Sequence, residues 1–182
     1  IWVKEGIYRP DRVPGSNTVT PNNRENSFYI NNNIAIYGGF AGTETGIAQR
    51  NIGQHPTILS GDLGILGIPA DNSYHVIKIT TNNSRLDGLI IEDGYANGVN
   101  GLSAGAGVYE EAGVWGTATG FNNVVANVTF RNNVATGNGG GWYTAGALQG
   151  STHFVQCIFY DNRATRGAAA FIKMYSPLTL TF

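Results

Sequence analysis

Several things are scarce in this chain, and each scarcity removes a class of function. It has one cysteine in 182 residues, so no internal disulfide holds it together. Charged residues make up only 13%, with 11 Lys and Arg against 12 Asp and Glu. A net charge of −1 gives no basic surface for nucleic acid to bind by counterion release. No apolar run reaches the 18 residues that a membrane-spanning helix needs. Apolar residues nowhere keep a 3.6-residue period over three turns. Gly, Asn and Pro interrupt any helix longer than about ten residues. The three histidines, His55, His75 and His153, lie far apart and share no metal-type spacing.

What is abundant is glycine, 26 residues of it, and an internal repeat. "FRNNVA" begins at Phe130 and "FYDNRA" at Phe159, each followed by a small-residue block ending in aromatics, "GNGGGWY" and "RGAAAFI". One offset of 29 relates Phe130 to Phe159, Asn133 to Asn162, Ala135 to Ala164, Gly139 to Ala168 and Trp142 to Phe171. Upstream, "LIIEDGYA" aligns with "VTFRNNVA" at an offset of 39, matching Ile91 to Phe130 and Gly94 to Asn133. Downstream, Leu178, Leu180 and Phe182 follow Val155, Cys157 and Phe159 by 23 residues. A recurring period of this size marks a solenoid, and its drift marks loops of varying length on constant strands.

The repeat alternates with period two in "VVANVTF" and "FVQCIFY", which is a strand pattern. "IWV", "SFYI", "IAIYGGF", "TILSG" and "HVIKI" also read as short strands. With no helices to cover them, the expected fold is all-β: a right-handed, single-stranded parallel β-helix of the pectin-lyase-like kind, one solenoid domain over 1–182 with a loop insertion at 97–120. Coils about 4.8 Å apart would place Leu89, Val128, Cys157 and Leu180 in one inward column and Ile91, Phe130, Phe159 and Phe182 in another. Val155 is expected to face inward as well. Gly94, Asn133 and Asn162 would form the corner, where positive φ is needed and Asn side chains can bond along a ladder. The small block would let the next strand pass close to the axis.

Aromatic-x-x-Asn beside a Gly/Ala block resembles the repeats of the polymorphic outer-membrane proteins, bacterial secreted passengers and adhesins. The stretches "IWVKEGIYRP", "IYGGFAGTET", "TILSGD" and "LDGLIIEDGYA" resemble the right-handed β-helix domains of secreted bacterial surface proteins. The blocks at 139–142 and 168–171 read Gly-Gly-Gly-Trp and Ala-Ala-Ala-Phe, departing from the Gly-Gly-Ala-Ile type of that group. The resemblance implies a secreted or cell-surface location. It also implies an N-terminal capping helix, whereas this sequence opens on the "IWVKEGIY" strand and closes on "LTLTF". Two expectations follow: a section of a longer chain whose other modules are its partners, or copies of the chain stacked head-to-tail into a filament.

β-Helices of this kind also carry polysaccharide lyases and glycosidases. A lyase needs carboxylates, often holding Ca²⁺, beside a Lys or Arg base that removes the proton α to a uronate. The acids available are Asp62, Asp87, Glu92, Asp93 and Asp161; the bases are Arg131, Arg163, Arg166 and Lys173. Arg131, Asp161 and Arg163 fall near one corner and are the candidate catalytic cluster. Against this, no column repeats an Asp: Asp87 continues as Ala126 and Val155. No metal site and no cofactor is otherwise expected.

Aromatics supply the second candidate site. Tyr109, Trp115 and Tyr143 lie in or near the variable loops and are the glycan-binding candidates, because a sugar face is apolar enough to stack on a ring. Trp142 is read as packed beneath a corner. Cys157 is read as a buried hydrophobe. Asn82 ("NNS") and Asn127 ("NVT") match the glycosylation acceptor pattern. The leading expectation is a structural or adhesive rod; the alternative is a carbohydrate-active enzyme or a glycan-binding module. An enzyme requires acids and a base converging in one groove, and a rod requires stacked ladders with its charges scattered.

Overall fold

A chain of short β-rich segments separated by Gly and Asn corners cannot close hairpins when its strands all pair in parallel. It must travel around and return. The computed structural model of the protein, which describes residues 1–111, 121–147 and 150–174, shows this circuit. Seventeen strands run in chain order: β1 (Trp2–Lys4), β2 (Gly6–Tyr8), β3 (Phe28–Ile30), β4 (Ala35–Phe40), β5 (Thr57–Ser60), β6 (Ile77–Ile79), β7 (Arg85–Asp87), β8 (Ile90–Glu92), β9 (Tyr95–Ala96), β10 (Val108–Glu111), β11 (Phe121–Ala126), β12 (Thr129–Arg131), β13 (Val134–Ala135), β14 (Trp142–Ala147), β15 (Gly150–Val155), β16 (Ile158–Tyr160) and β17 (Ala170–Met174). Among the described residues the only helix is two single 3₁₀ turns, Ile47–Gln49 and Pro69–Asp71.

The strands form three five-stranded parallel sheets, ordered β1-β4-β7-β11-β15, β2-β5-β8-β12-β16 and β3-β6-β10-β14-β17, with β9 and β13 as a two-stranded fourth. The chain visits the three large sheets in fixed rotation, and each strand pairs with its counterpart one circuit later. Register follows the sequence repeat. Leu59 pairs with Ile91, Ile91 with Phe130 and Phe130 with Phe159. These side chains face the interior with Leu86, Val125, Ile77, Val108 and Trp142, all in one core cluster. Phe130 and Phe159 stack at 4.6 Å, and Trp142 meets Phe130 edge-on at 6.1 Å.

Three details of register differ from the sequence reading. Trp142 pairs with Ala170, not Phe171; Tyr143 pairs with Phe171, because the loop before β17 is one residue shorter than its counterpart. Val155 is 48% exposed, and its neighbour Phe154 faces the core instead. The cause is the bend after each strand of this sheet. Asn127 and Gln156 both sit at φ 52°, which breaks the period-two alternation between one strand and the next. Positive φ at the other corner belongs to Asp93, Asn132 and Asp161 (60°, 56°, 54°), one residue before the expected column. Leu178, Leu180, Phe182 and residues 112–120 lie outside the described residues, and within the stretch expected as a loop insertion, 97–120, Val108–Glu111 form β10 of the third sheet.

Asn133 and Asn162, freed from the φ requirement, form a hydrogen-bonded ladder. Asn133 Oδ1 accepts from the Gly94 amide at 3.0 Å, and its Nδ2 donates to the Ile91 carbonyl at 3.0 Å. Asn162 Oδ1 accepts from both the amide and the side chain of Asn133, and Asn162 Nδ2 donates to the Phe130 carbonyl at 2.8 Å. Beside the ladder runs the small-residue block. Gly105, Gly139 and Gly167 turn the chain at φ 66°, 64° and 61°. A Cβ on Gly107 would strike the Gly141 carbonyl and crowd the Asn133 amide, so backbone packs on backbone here. Ala96, Ala106 and Ala135 fill the same seam, with Ala164 against them.

Candidate functional site

The sheet that carries Ile91 and Phe130 inward turns Ser60, Glu92, Arg131 and Tyr160 outward in one row. Arg131 donates from Nε to Glu92 and from a terminal nitrogen to the Tyr160 hydroxyl at 3.1 Å. Arg131 therefore stands beside Glu92, its neighbour one circuit earlier. Among the described residues neither Asp161 nor Arg163 forms an ion pair. Asp161 occupies the positive-φ corner, and Arg163 is held through its backbone, which bridges Val134.

At the same corner, Asp93 is half-buried, and its carboxyl is raised to about 6. Loss of solvent is the largest cause, followed by the charges of Glu92 and Asp62, with Arg131 and Asn132 opposing. Asp62 is tied into its own loop: its carboxylate accepts from the Gly67 amide at 3.0 and 3.1 Å, and its backbone carbonyl accepts from Arg9 Nε. The arrangement offers one carboxyl able to carry a proton near neutral pH beside an arginine already paired. Among the described residues no three His, Cys, Asp or Glu side chains converge as metal ligands.

On the adjacent sheet, Asp87 is 2% exposed and lies between two guanidinium groups. Arg50, reaching over from the loop before β5, donates at 2.7 Å, and Arg85 donates from two nitrogens at 3.0 and 2.6 Å. Asn127 adds a fourth donor at 2.9 Å. Although burial pushes the Asp87 carboxyl upward as the largest single influence, the Asn127, Arg50 and Arg85 donors together hold it below the usual carboxylate range. The bonded side chain of Asn127 makes this acceptor sequence part of the ion-pair network.

The third sheet brings Tyr109 and Tyr143 together. They pair in register, with Lys78 before them and Phe171 after. Ring centroids are 5.3 Å apart between Tyr109 and Tyr143 and 5.9 Å between Tyr143 and Phe171; His75 lies 4.8 Å from Tyr109. Tyr109 and Tyr143 are tilted at 37° and Tyr143 and Phe171 stacked at 17°, with both tyrosines partly buried. Burial, with the nearby Glu111 charge, raises the Tyr109 phenol to about 12. Trp115, the third glycan candidate, lies outside the described residues. A separate cleft of about 450 Å³, lined in part by Arg12, Asn17, Phe28 and Tyr29, holds one weak ion pair, Arg12 to Asp11 at 3.4 Å.

Sequence reasoning missed Glu110. It sits in an inward column between Ile79 and Thr144 and is fully buried. Asn123 donates to it at 2.7 Å, Thr144 at 2.6 Å, Thr152 at 3.0 Å and the Trp142 indole at 3.3 Å. Desolvation still drives its carboxyl upward against those four donors. "EE" after a strand reads as a solvated pair. The available signal was register: aligning "GVYEE" with "GWYTA" puts Glu110 in phase with core Trp142. His75 was also overlooked; it is buried, its Nδ1 lies 3.0 Å from the Gly105 carbonyl, and burial lowers it to about 4.

Compared with protein-family models, with curated proteins and with solved structures, the chain matches none.

Proposed function

We propose that this chain is a right-handed parallel β-helix serving as a structural or adhesive rod of a secreted or surface-attached bacterial protein. One observation carries the reading: several charged groups of the outer faces are engaged by partners on the same strand, on the neighbouring circuit or in an adjoining loop. Glu92 pairs with Arg131, Asp87 is bracketed by Arg50 and Arg85, and Lys78 pairs with Glu111 at 3.0 Å. Side chains locked into ladders stiffen a solenoid and leave few groups for substrate. The likeness of its repeats to those of polymorphic outer-membrane proteins supports the surface location. Other modules of the same chain, further copies, or a surface glycan are the partners this reading takes.

A second reading, a polysaccharide lyase or glycosidase, draws on Asp93. A carboxyl raised to about 6 near Glu92 and Asp62 is the kind of group that transfers a proton. Incubation with polyuronates and neutral polysaccharides, with and without Ca²⁺, separates the two. The rod reading expects no new reducing ends and no unsaturated uronate absorbance. Depolymerisation by the unmutated protein that disappears in Asp93→Asn or Arg131→Ala would overturn it.

A further inference from the structure

The chain contains three Asn-Gly pairs, Asn97-Gly98, Asn100-Gly101 and Asn138-Gly139. In such a pair the glycine nitrogen, unhindered by a Cβ, can attack the Asn carboxamide carbon. The N–Cγ bond forms, ammonia leaves, and water opens the resulting succinimide to aspartate or isoaspartate. The reaction requires a free backbone N–H to deprotonate and a carboxamide free to swing onto it.

We propose that Asn100 is a site of spontaneous deamidation in the folded protein, and that the fold protects the other two pairs. Asn138-Gly139 lies in the close-packed seam, and the Gly139 amide donates to the Arg166 carbonyl at 2.9 Å. The Gly98 amide donates to the Leu102 carbonyl at 2.9 Å, and the Asn97 Oδ1 is held by Arg24 at 2.7 Å. Arg24 is itself fixed by two backbone carbonyls and lies over the Tyr74 ring at 4.1 Å. Asn97 is exposed as Asn100 is, so the difference between those two lies in their hydrogen bonds. Asn100 and Gly101 are both exposed, and among the described residues neither the Asn100 side chain nor the Gly101 amide has a hydrogen-bond partner.

The pair forms the tip of a turn closed by the Leu102 amide to the Val99 carbonyl at 3.1 Å and flanked by the Gly98–Leu102 bond, with φ of 54° and 94° at its two central residues. Positive φ at both central residues is the mark of a tight I′ turn. Attack needs the turn to open, which is a local event at an exposed tip. Reaction in the fold is therefore slower than in the unfolded chain and faster than at either protected pair. The product adds one negative charge, taking the net charge from −1 to −2. It does so at a turn where a Cβ on Gly101 would reach the Tyr109 hydroxyl of the aromatic stack at 3.7 Å.

The test is ageing of the native protein at mildly alkaline pH, followed by peptide mapping with fragment ions that place the amide-to-acid mass change. A urea-denatured sample serves as the control, and Asn100→Ser confirms the assignment. The expected result is conversion at Asn100 at least about tenfold faster than at Asn97 or Asn138 in the native sample, with all three converting in urea. Equal rates at Asn100 and either protected pair in the native protein, or an unreactive Asn100 where urea converts all three, would overturn the proposal.

Discussion

At the scale of single residues, two buried ionisable groups pull the stability of the fold in opposite directions with pH. His75 takes up its proton at about pH 4 in the fold, against 6.5 when solvated. As pH falls below 6.5 the unfolded chain binds that proton first, so stability declines between 6.5 and 4, by roughly 3 kcal/mol. Glu110 acts the other way. Its raised carboxyl keeps its proton in the fold after the unfolded chain has released it, so its contribution is present in acid and declines as pH rises above 4.5. Urea midpoints measured across this range should show the acid decline flattened in His75→Gln and the decline above 4.5 flattened in Glu110→Gln. An unaltered acid slope in His75→Gln would mean that another group sets it.

At the scale of elements, the interior column and the corner ladder do different work. Phe130 is fully buried between Phe159 and Trp142, so Phe130→Ala should cost about 3–5 kcal/mol in chemical denaturation. A negligible loss would remove Phe130 from the core. Asn133 is also fully buried, and its loss strips a side-chain partner from the Gly94 amide, the Ile91 carbonyl and Asn162 Oδ1, the last keeping the Asn133 backbone amide. Asn133→Ala should therefore cost roughly 1–3 kcal/mol although no apolar packing is removed. If Asn133→Ala left stability unchanged, water would have to replace the ladder, which a site with no solvent access resists.

At the scale of the whole molecule, each circuit touches chiefly its neighbours, so stability is distributed along the stack. Trp2 on β1 and Ile7 on β2 are 46% and 54% exposed, while Leu86, Ile91, Val125 and Phe130 in the middle circuits are buried. Hydrogen exchange should accordingly be slowest in β7, β8, β11 and β12 and faster in β1 and β2. Uniform protection over all of these strands would indicate a single cooperative unit instead. Parallel pairing over long sequence separations also predicts slow folding, because every strand must wait for the chain to complete a circuit.

The sequence by itself determined the strands, the parallel return of the chain and most of the register. Period-two alternation reports which residues share a face, and a repeated aromatic-x-x-Asn string reports which residues share a column. Ile91, Phe130 and Phe159 align by inspection and pair in space. What sequence could not supply is what happens where alternation breaks. A residue at positive φ breaks the phase between successive strands, which leaves Val155 exposed and Phe154 inward, and a loop one residue shorter before β17 pairs Tyr143 with Phe171. Some charge partners were hidden for a related reason. Arg131 meets Glu92 on the same offset of 39 that aligns Phe130 with Ile91, but Arg50 meets Asp87 across 37 residues from a loop whose reach no local pattern encodes. Glu110 is the sharpest case: its type says surface, and only four donors converging from other strands make its burial tolerable. Local chemistry fixes the strand; the packing of successive circuits decides which charges are buried, which are paired and which remain open to solvent.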